Sequence, residues 1–164
     1  MNKIRMIALA ACMAATLDAS AQEQEIRLFS HRGGRMEHDE NTLSAFQASY
    51  DAGYRGFETD IRMTRDGALV ITHDSSLERT TDGTGTVEEK TEAEIRQLAT
   101  KQGNKMMFLD ELLEFLKGKE GLYVEFEMKT KPVELYPEER LHAYCDKLYD
   151  AVMAVKPADA VFVF

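Results

Sequence analysis

Apolar and polar positions along this chain follow two periods, and the changes between them mark out strands and helices. Glu25 to Ser30 is a short mixed run ending at His31 and reads as a first strand. Asn41 or Thr42 can cap a helix whose apolar positions Leu43, Phe46 and Tyr50 keep helical spacing, with Gly53 as its stop. Tyr54 to Met63 alternates, with Phe57, Thr59 and Ile61 on one face and Glu58 and Asp60 on the other. Asp66-Gly67 is a tight-turn signal, and Ala68 to His73 is the strand that follows. A two-residue loop there sets Arg65 opposite Ala68, and so Asp60 opposite His73.

Ser75 to Thr86 is rich in Thr and Gly and reads as a loop, after which Thr91-x-x-Glu94 opens a short helix through Leu98 as a capping box. Phe108 to Leu116 is an amphipathic helix ended by Gly118. Leu122 to Lys129 alternates again, with Leu122, Val124, Phe126 and Met128 on one face and Tyr123, Glu125, Glu127 and Lys129 on the other. Pro137 starts a long helix to about Val155, Lys156-Pro157 stops it, and Ala160 to Phe164 is a bare apolar strand. Strands alternating with helices predict a parallel α/β sheet or barrel of about five strands. A complete (β/α)8 barrel needs about 250 residues, so the chain is expected to be an incomplete, N-terminal part of one.

The first 21 residues stand apart from this pattern. Met1 to Arg5 is a short basic start, Met6 to Leu17 is almost wholly apolar but too short to span a bilayer, and Ala19-Ser20-Ala21 is a cleavage signal. The expected product is exported, periplasmic or secreted, with a domain at 22–164 and no transmembrane segment. Leu9-Ala10-Ala11-Cys12 offers a rival, a lipid anchor on Cys12. Cys145 is then the one unmodified thiol, so no internal disulfide is expected; it shares a helical stripe with Leu141, Leu148 and Val152 and suits core packing.

Composition adds two limits. With 44% hydrophobic and 30% charged residues the chain reads as globular. Its net charge of −9, without a basic patch, argues against nucleic acid as a partner. A phosphate-bearing substrate therefore needs cations supplied locally.

Chemistry concentrates at strand ends. His31-Arg32-Gly33-Gly34 follows the first strand, where a guanidinium beside an imidazole suits a phosphate oxygen held during proton transfer. Glu58-x-Asp60 puts two carboxylates on one strand face, which repel unless a cation lies between them. Their hard oxygens favour Mg²⁺ or Ca²⁺ over zinc. Glu127-x-Lys129 repeats the pattern: the carboxylate can complete a three-ligand set and the ammonium can neutralise phosphate, although Glu125 shares that face and is an alternative ligand. His38 and His142 have no supporting context and read as surface residues.

Together these pieces resemble the glycerophosphodiester phosphodiesterase family. The match runs in order through His31-Arg32-Gly33, Glu40-Asn41-Thr42, Glu58-Thr59-Asp60, Thr64-Arg65-Asp66-Gly67, His73-Asp74, Arg79-Thr80-Thr81 and Glu127-Met128-Lys129. The resemblance implies a (β/α)8 barrel of the phospholipase C-like type, with a small insertion after the strand of the second histidine. It implies hydrolysis of glycerophosphodiesters to an alcohol and glycerol 3-phosphate with bound Mg²⁺ or Ca²⁺. By this mapping Glu58, Asp60 and Glu127 are the metal ligands, His31 and His73 the general acid/base pair, and Arg32 and Lys129 the phosphate-binding cations. One departure is Asp39, where the family usually has proline before Glu-Asn-Thr. Two rivals remain: another phospholipase C-like phosphodiesterase acting on lipid or a cyclic phosphate, and a non-catalytic envelope binding domain.

Overall fold

A computed structural model describes residues 27–156 and 159–164; the expected leader at 1–21 and Cys12 lie outside them. Four strands form a parallel sheet in the order β1 (Phe29–His31), β2 (Gly56–Met63), β4 (Tyr123–Met128) and β5 (Asp159–Val163). A short β3 (Leu69–Ile71) pairs antiparallel with the last residues of β2. Because Ile61 pairs with Met128 on one side and Ile71 on the other, β3 lies on β1's side of β2, beyond β1's end.

Helices α1 (Leu43–Asp51), α3 (Leu109–Leu116) and α4 (Glu138–Val155) cover one face of this sheet. Phe57 of β2 packs against Phe46 of α1 and Phe115 of α3, with ring centroids 5.6 and 6.2 Å apart. From β4, Val124, Phe126 and Met128 join the same core, so the odd residues of β2 and the even residues of β4 face the helices. The opposite face carries Glu58, Asp60, Glu125 and Glu127. The architecture is thus a partial α/β barrel with carboxylates on its inner side. A second, smaller cluster of Val70, Leu77, Val87, Ile95, Met106 and Phe108 holds the excursion between β3 and α3. That excursion contains α2 (Glu92–Ile95).

Local signals explain the element ends. Thr42 Oγ1 caps α1 by accepting from Ala45 N at 3.2 Å, which decides between the two cap candidates. Thr91 and Glu94 form the expected capping box on α2, which ends sooner than expected, at Ile95. The buried stripe of α4 is Tyr144, Leu148 and Val152; Cys145 and Leu141 are half-buried beside it. His142 is exposed and His38 half-buried. No helix among the described residues is long and apolar enough to cross a membrane.

The turn between β2 and β3 corrects one expectation. Ile61 faces Ile71, Arg62 faces Val70 and Met63 faces Leu69, so the register is one residue away from the expected one. The loop has three residues, Arg65-Asp66-Gly67, with Gly67 left-handed at φ +85. Thr64 closes it: its N–H donates to Ala68 O and its Oγ1 accepts from Ala68 N, both at 2.8 Å. Thr72, not His73, therefore lies opposite Asp60, with Thr72 N donating to Asp60 O at 2.9 Å. His73 is carried one step beyond the ladder.

Candidate active site

The chain leaves β1 through three consecutive left-handed residues, Arg32, Gly33 and Gly34, at φ +55, +74 and +99. At Gly33 the reason is contact as well as conformation, since a Cβ there would sit 3.0 Å from Ala45 Cβ on α1. Arg32 accepts a conformation that costs a non-glycine residue of order 1 kcal/mol. What it gains is a doubly used amide: Arg32 N donates to Glu58 O at 3.1 Å and to Glu58 Oε2 at 3.0 Å. The loop returns through Asn41, also left-handed at φ +58, whose N–H donates to Arg32 O at 2.8 Å.

This path sets the first residues of β2 among cations and donors. Asp60, fully buried, has Oδ2 3.2 Å from Arg32 Nε and accepts from Asn41 Nδ2 at 3.0 Å. Its Oδ1 lies 3.1 Å from the Lys129 ammonium and has no hydrogen-bond partner among the described residues. The same ammonium contacts Glu127 Oε1. Parallel pairing of β2 with β4 puts Asp60 opposite Glu127 and Glu58 opposite Glu125. Glu125 turns instead to the Tyr123 hydroxyl, which donates to Oε1 at 3.2 Å. The choice left open between Glu125 and Glu127 falls to Glu127: ligand oxygens of Glu58, Asp60 and Glu127 lie within 4.8 Å of one another.

Three carboxylates this close carry more negative charge than the surrounding donors balance. Glu58 is pushed up to about 7, first by burial and then by the charges of Asp60 and Glu127, against the Arg32 amide that lowers it. Glu58 Oε1 is buried and has no hydrogen-bond partner among the described residues. An orphaned buried carboxylate oxygen among three hard donors fits a divalent cation of the Mg²⁺ or Ca²⁺ kind.

His31 borders this cluster directly, and His73 connects to it through a chain of paired side chains. Half-exposed His31 has Nε2 3.5 Å from Glu58 Oε2. Burial lowers its pKa first, and the nearby Arg32 and Arg35 charges add to that, against a smaller raising by Asp60. His73 follows β3, and its Nδ1 is 2.6 Å from Asp74 Oδ1. Asp74 is held down at about 2, chiefly by its hydrogen bond from Arg79. Arg79 also grips Glu40 with two donors, at 3.0 and 2.7 Å, and Glu40 accepts from Arg32 Nη1 at 3.2 Å. A continuous chain of pairs thus runs from His73 through Asp74, Arg79, Glu40 and Arg32 to Asp60.

Six of the seven residues singled out from the sequence meet directly, His31, Arg32, Glu58, Asp60, Glu127 and Lys129, and His73 is linked to them through Asp74, Arg79 and Glu40. Arg32 and Lys129, expected as phosphate-binding cations, lie against Asp60, Glu40 and Glu127 as their counter-charges. Sequence reasoning gave no role in the site to Glu40, Asn41, Asp74 or Arg79, although each stood within a quoted motif. Beside His31 opens a cleft of about 390 Å³, lined among others by Phe29, Gly34, Arg35 and Met36. Another, of about 600 Å³, lies at the N-terminal ends of β2, β4 and β5 and holds none of these groups.

Comparison with known proteins identifies the family. Residues 31–160 match the model of the glycerophosphoryl diester phosphodiesterase family. A glycerophosphodiester phosphodiesterase of Caldanaerobacter subterraneus is 37% identical over 123 residues, covering 70% of this chain and 50% of that protein. A putative glycerophosphoryl diester phosphodiesterase from Silicibacter pomeroyi superposes with a TM-score of 0.75 at 26% identity, over 84% of this chain and 56% of the other. An Oleispira antarctica phosphodiesterase, solved in complex with the product sn-glycerol-3-phosphate, gives 0.71 at 27% identity over the same shares. The chain spans about half the length of the curated relatives it matches. With motif order, partial barrel and inward-facing carboxylates all in agreement, this chain belongs to the glycerophosphoryl diester phosphodiesterase family.

Proposed function

We propose that this protein hydrolyses glycerophosphodiesters to an alcohol and glycerol 3-phosphate, using a divalent cation and a pair of histidines. The observation that carries the reading is the convergence of Glu58, Asp60 and Glu127 within 4.8 Å, with the His31 imidazole beside Glu58 and His73 joined to Asp60 through Asp74, Arg79, Glu40 and Arg32. Glu58, Asp60 and Glu127 would hold Mg²⁺ or Ca²⁺, which when bound polarises the phosphoryl oxygens and offsets charge developing in the transition state.

The chain's own residues supply the proton transfers. Asp74, ionised at neutral pH, can only accept a hydrogen bond, so His73 Nδ1 carries the proton and Nε2 presents its lone pair. His73 is therefore assigned as proton acceptor. His31 is assigned as donor to the leaving alkoxide; its depressed pKa makes its charged form a stronger acid than an ordinary imidazolium. Arg32 and Lys129, already at the carboxylates, stand where a phosphate bound at the cluster would meet both cations. The expected leader would place this reaction outside the cytoplasm.

The test is release of glycerol 3-phosphate from glycerophosphocholine with added Mg²⁺ or Ca²⁺. His31→Ala and His73→Ala should each abolish it, and chelation should do so reversibly. Turnover that survives replacement of both histidines would refute the mechanism.

A further inference from the structure

Arg62 is the next inward residue of β2 after Asp60, and it is 5% exposed. Its Nη1 donates to Glu88 Oε1 at 2.6 Å and to Lys131 O at 2.8 Å, and its Nε donates to His73 O at 2.9 Å. Glu88, in the 3₁₀ turn Val87–Glu89 and 3% exposed, takes two further donors. Tyr136 OH reaches its Oε1 and Ser75 Oγ its Oε2, both at 2.7 Å. The segments gripped are those bearing two of the functional groups: the His73 peptide itself with Ser75 beyond it, and the peptide two residues past Lys129.

We infer that the buried Arg62–Glu88 pair is a positioning device that fixes the backbone of His73 and of the Lys129–Lys131 segment together. The inference rests on the catalytic reading above. A buried ion pair is a poor source of net stability, because desolvation consumes most of its attraction. What a guanidinium offers here is a rigid fork that reaches two carbonyls and a carboxylate at once, which an ammonium on a simpler stem does not match. Small displacements of a reacting group cost rates up to about a hundredfold. None of Glu58, Asp60 and Glu127 is a hydrogen-bond or ion-pair partner of this pair among the described contacts.

Arg62→Lys keeps a charge beside Glu88 but gives up the fork, and Tyr136→Phe removes one hydrogen bond from Glu88 without touching either functional segment. In the full chain with Mg²⁺ and glycerophosphocholine, Arg62→Lys should lower kcat tenfold to a hundredfold, with KM and calorimetric Mg²⁺ affinity within about twofold of the unaltered chain. The His73 imidazole resonance, identified by its loss in His73→Ala, should shift or broaden. Tyr136→Phe should lower Tm yet keep kcat and the His73 resonance. An unchanged kcat and His73 resonance in Arg62→Lys, or the same kcat loss in Tyr136→Phe, would overturn the inference. If the unaltered chain turns over no substrate, the hydrolase reading falls, and the His73 resonance in Arg62→Lys alone decides for or against positioning. If Arg62→Lys does not fold, Ser75→Ala, which frees Glu88 Oε2, takes its place: lowered kcat with a shifted His73 resonance supports positioning, and no change in either overturns it.

Discussion

Asn41 Nδ2 donates to Asp60 Oδ2 at 3.0 Å from a backbone held at φ +58. The bond aims the most buried carboxylate of the cluster and ties the loop after β1 to β2. Removing a group that orients a ligand typically costs about tenfold to a hundredfold in metal affinity. Asn41→Gly keeps the left-handed backbone while deleting the amide, so it isolates the side chain. Titration calorimetry with Mg²⁺ or Ca²⁺ should show that loss in Asn41→Gly. Unchanged affinity would mean that Arg32 and Lys129 alone orient Asp60.

Glu58 makes the cation-free protein sensitive to pH. Its pKa rises from 4.5 to about 7 on folding, so the folded form holds the proton more tightly. Its contribution to stability is complete below pH 4.5 and is lost as pH climbs through 7. The loss is at most roughly 3 kcal/mol. In the presence of a chelator, Tm should fall between pH 5 and 8 by more in the unaltered protein than in Glu58→Gln. Added divalent cation should raise Tm more at pH 8 than at pH 5. Parallel Tm curves for the two proteins would show that Glu58 does not titrate there.

Asp74 fixes which nitrogen of His73 carries the proton. Asp74→Asn leaves the shape but can present an N–H to Nδ1, which favours the opposite tautomer and spoils Nε2 as an acceptor. General-base catalysis is worth at least about a hundredfold, and kcat should fall by that much. Cation affinity should hold, because Asp74 lies outside the carboxylate cluster. A variant with undiminished kcat would remove His73 from the acceptor's role.

Asp39 replaces the proline usual in the family, and the structure shows what stands in for ring stiffness. Its Oδ2 accepts from Thr100 Oγ1 and, at 2.9 Å, from Asn104 Nδ2, while its carbonyl accepts from Thr42 Oγ1 at 2.7 Å. The turn carrying Glu40 and Asn41 is thereby fastened to the excursion after β3. Asp39→Ala deletes the two side-chain bonds and should cost about 2 kcal/mol, read as a lower Tm and denaturation midpoint. A change within experimental error would show that the Thr42 bond to the carbonyl suffices.

Much of this molecule is legible in its sequence. The period-two runs at Tyr54–Met63 and Leu122–Lys129 identify both carboxylate-bearing strands and the face each acid occupies, because alternation is a property of one extended segment. Thr91-x-x-Glu94 announces its capping box for the same reason, the partners being three residues apart. The motif set names all the acids, histidines and cations that converge. Three matters are beyond it. Asp66-Gly67 marks the turn but not its length, and the hydroxyl of Thr64 makes the loop three residues long and moves Thr72, not His73, opposite Asp60. Glu125 and Glu127 share a face, and only pairing with a distant strand places one of them beside Asp60. Arg32 and Lys129 read as waiting for phosphate, yet they neutralise buried carboxylates, because charge brought out of water must find its counter-charge wherever the fold supplies one. Sequence determined the groups and the direction each one points, which are local; the tertiary structure decided which of them meet, since that depends on register between segments far apart in the chain.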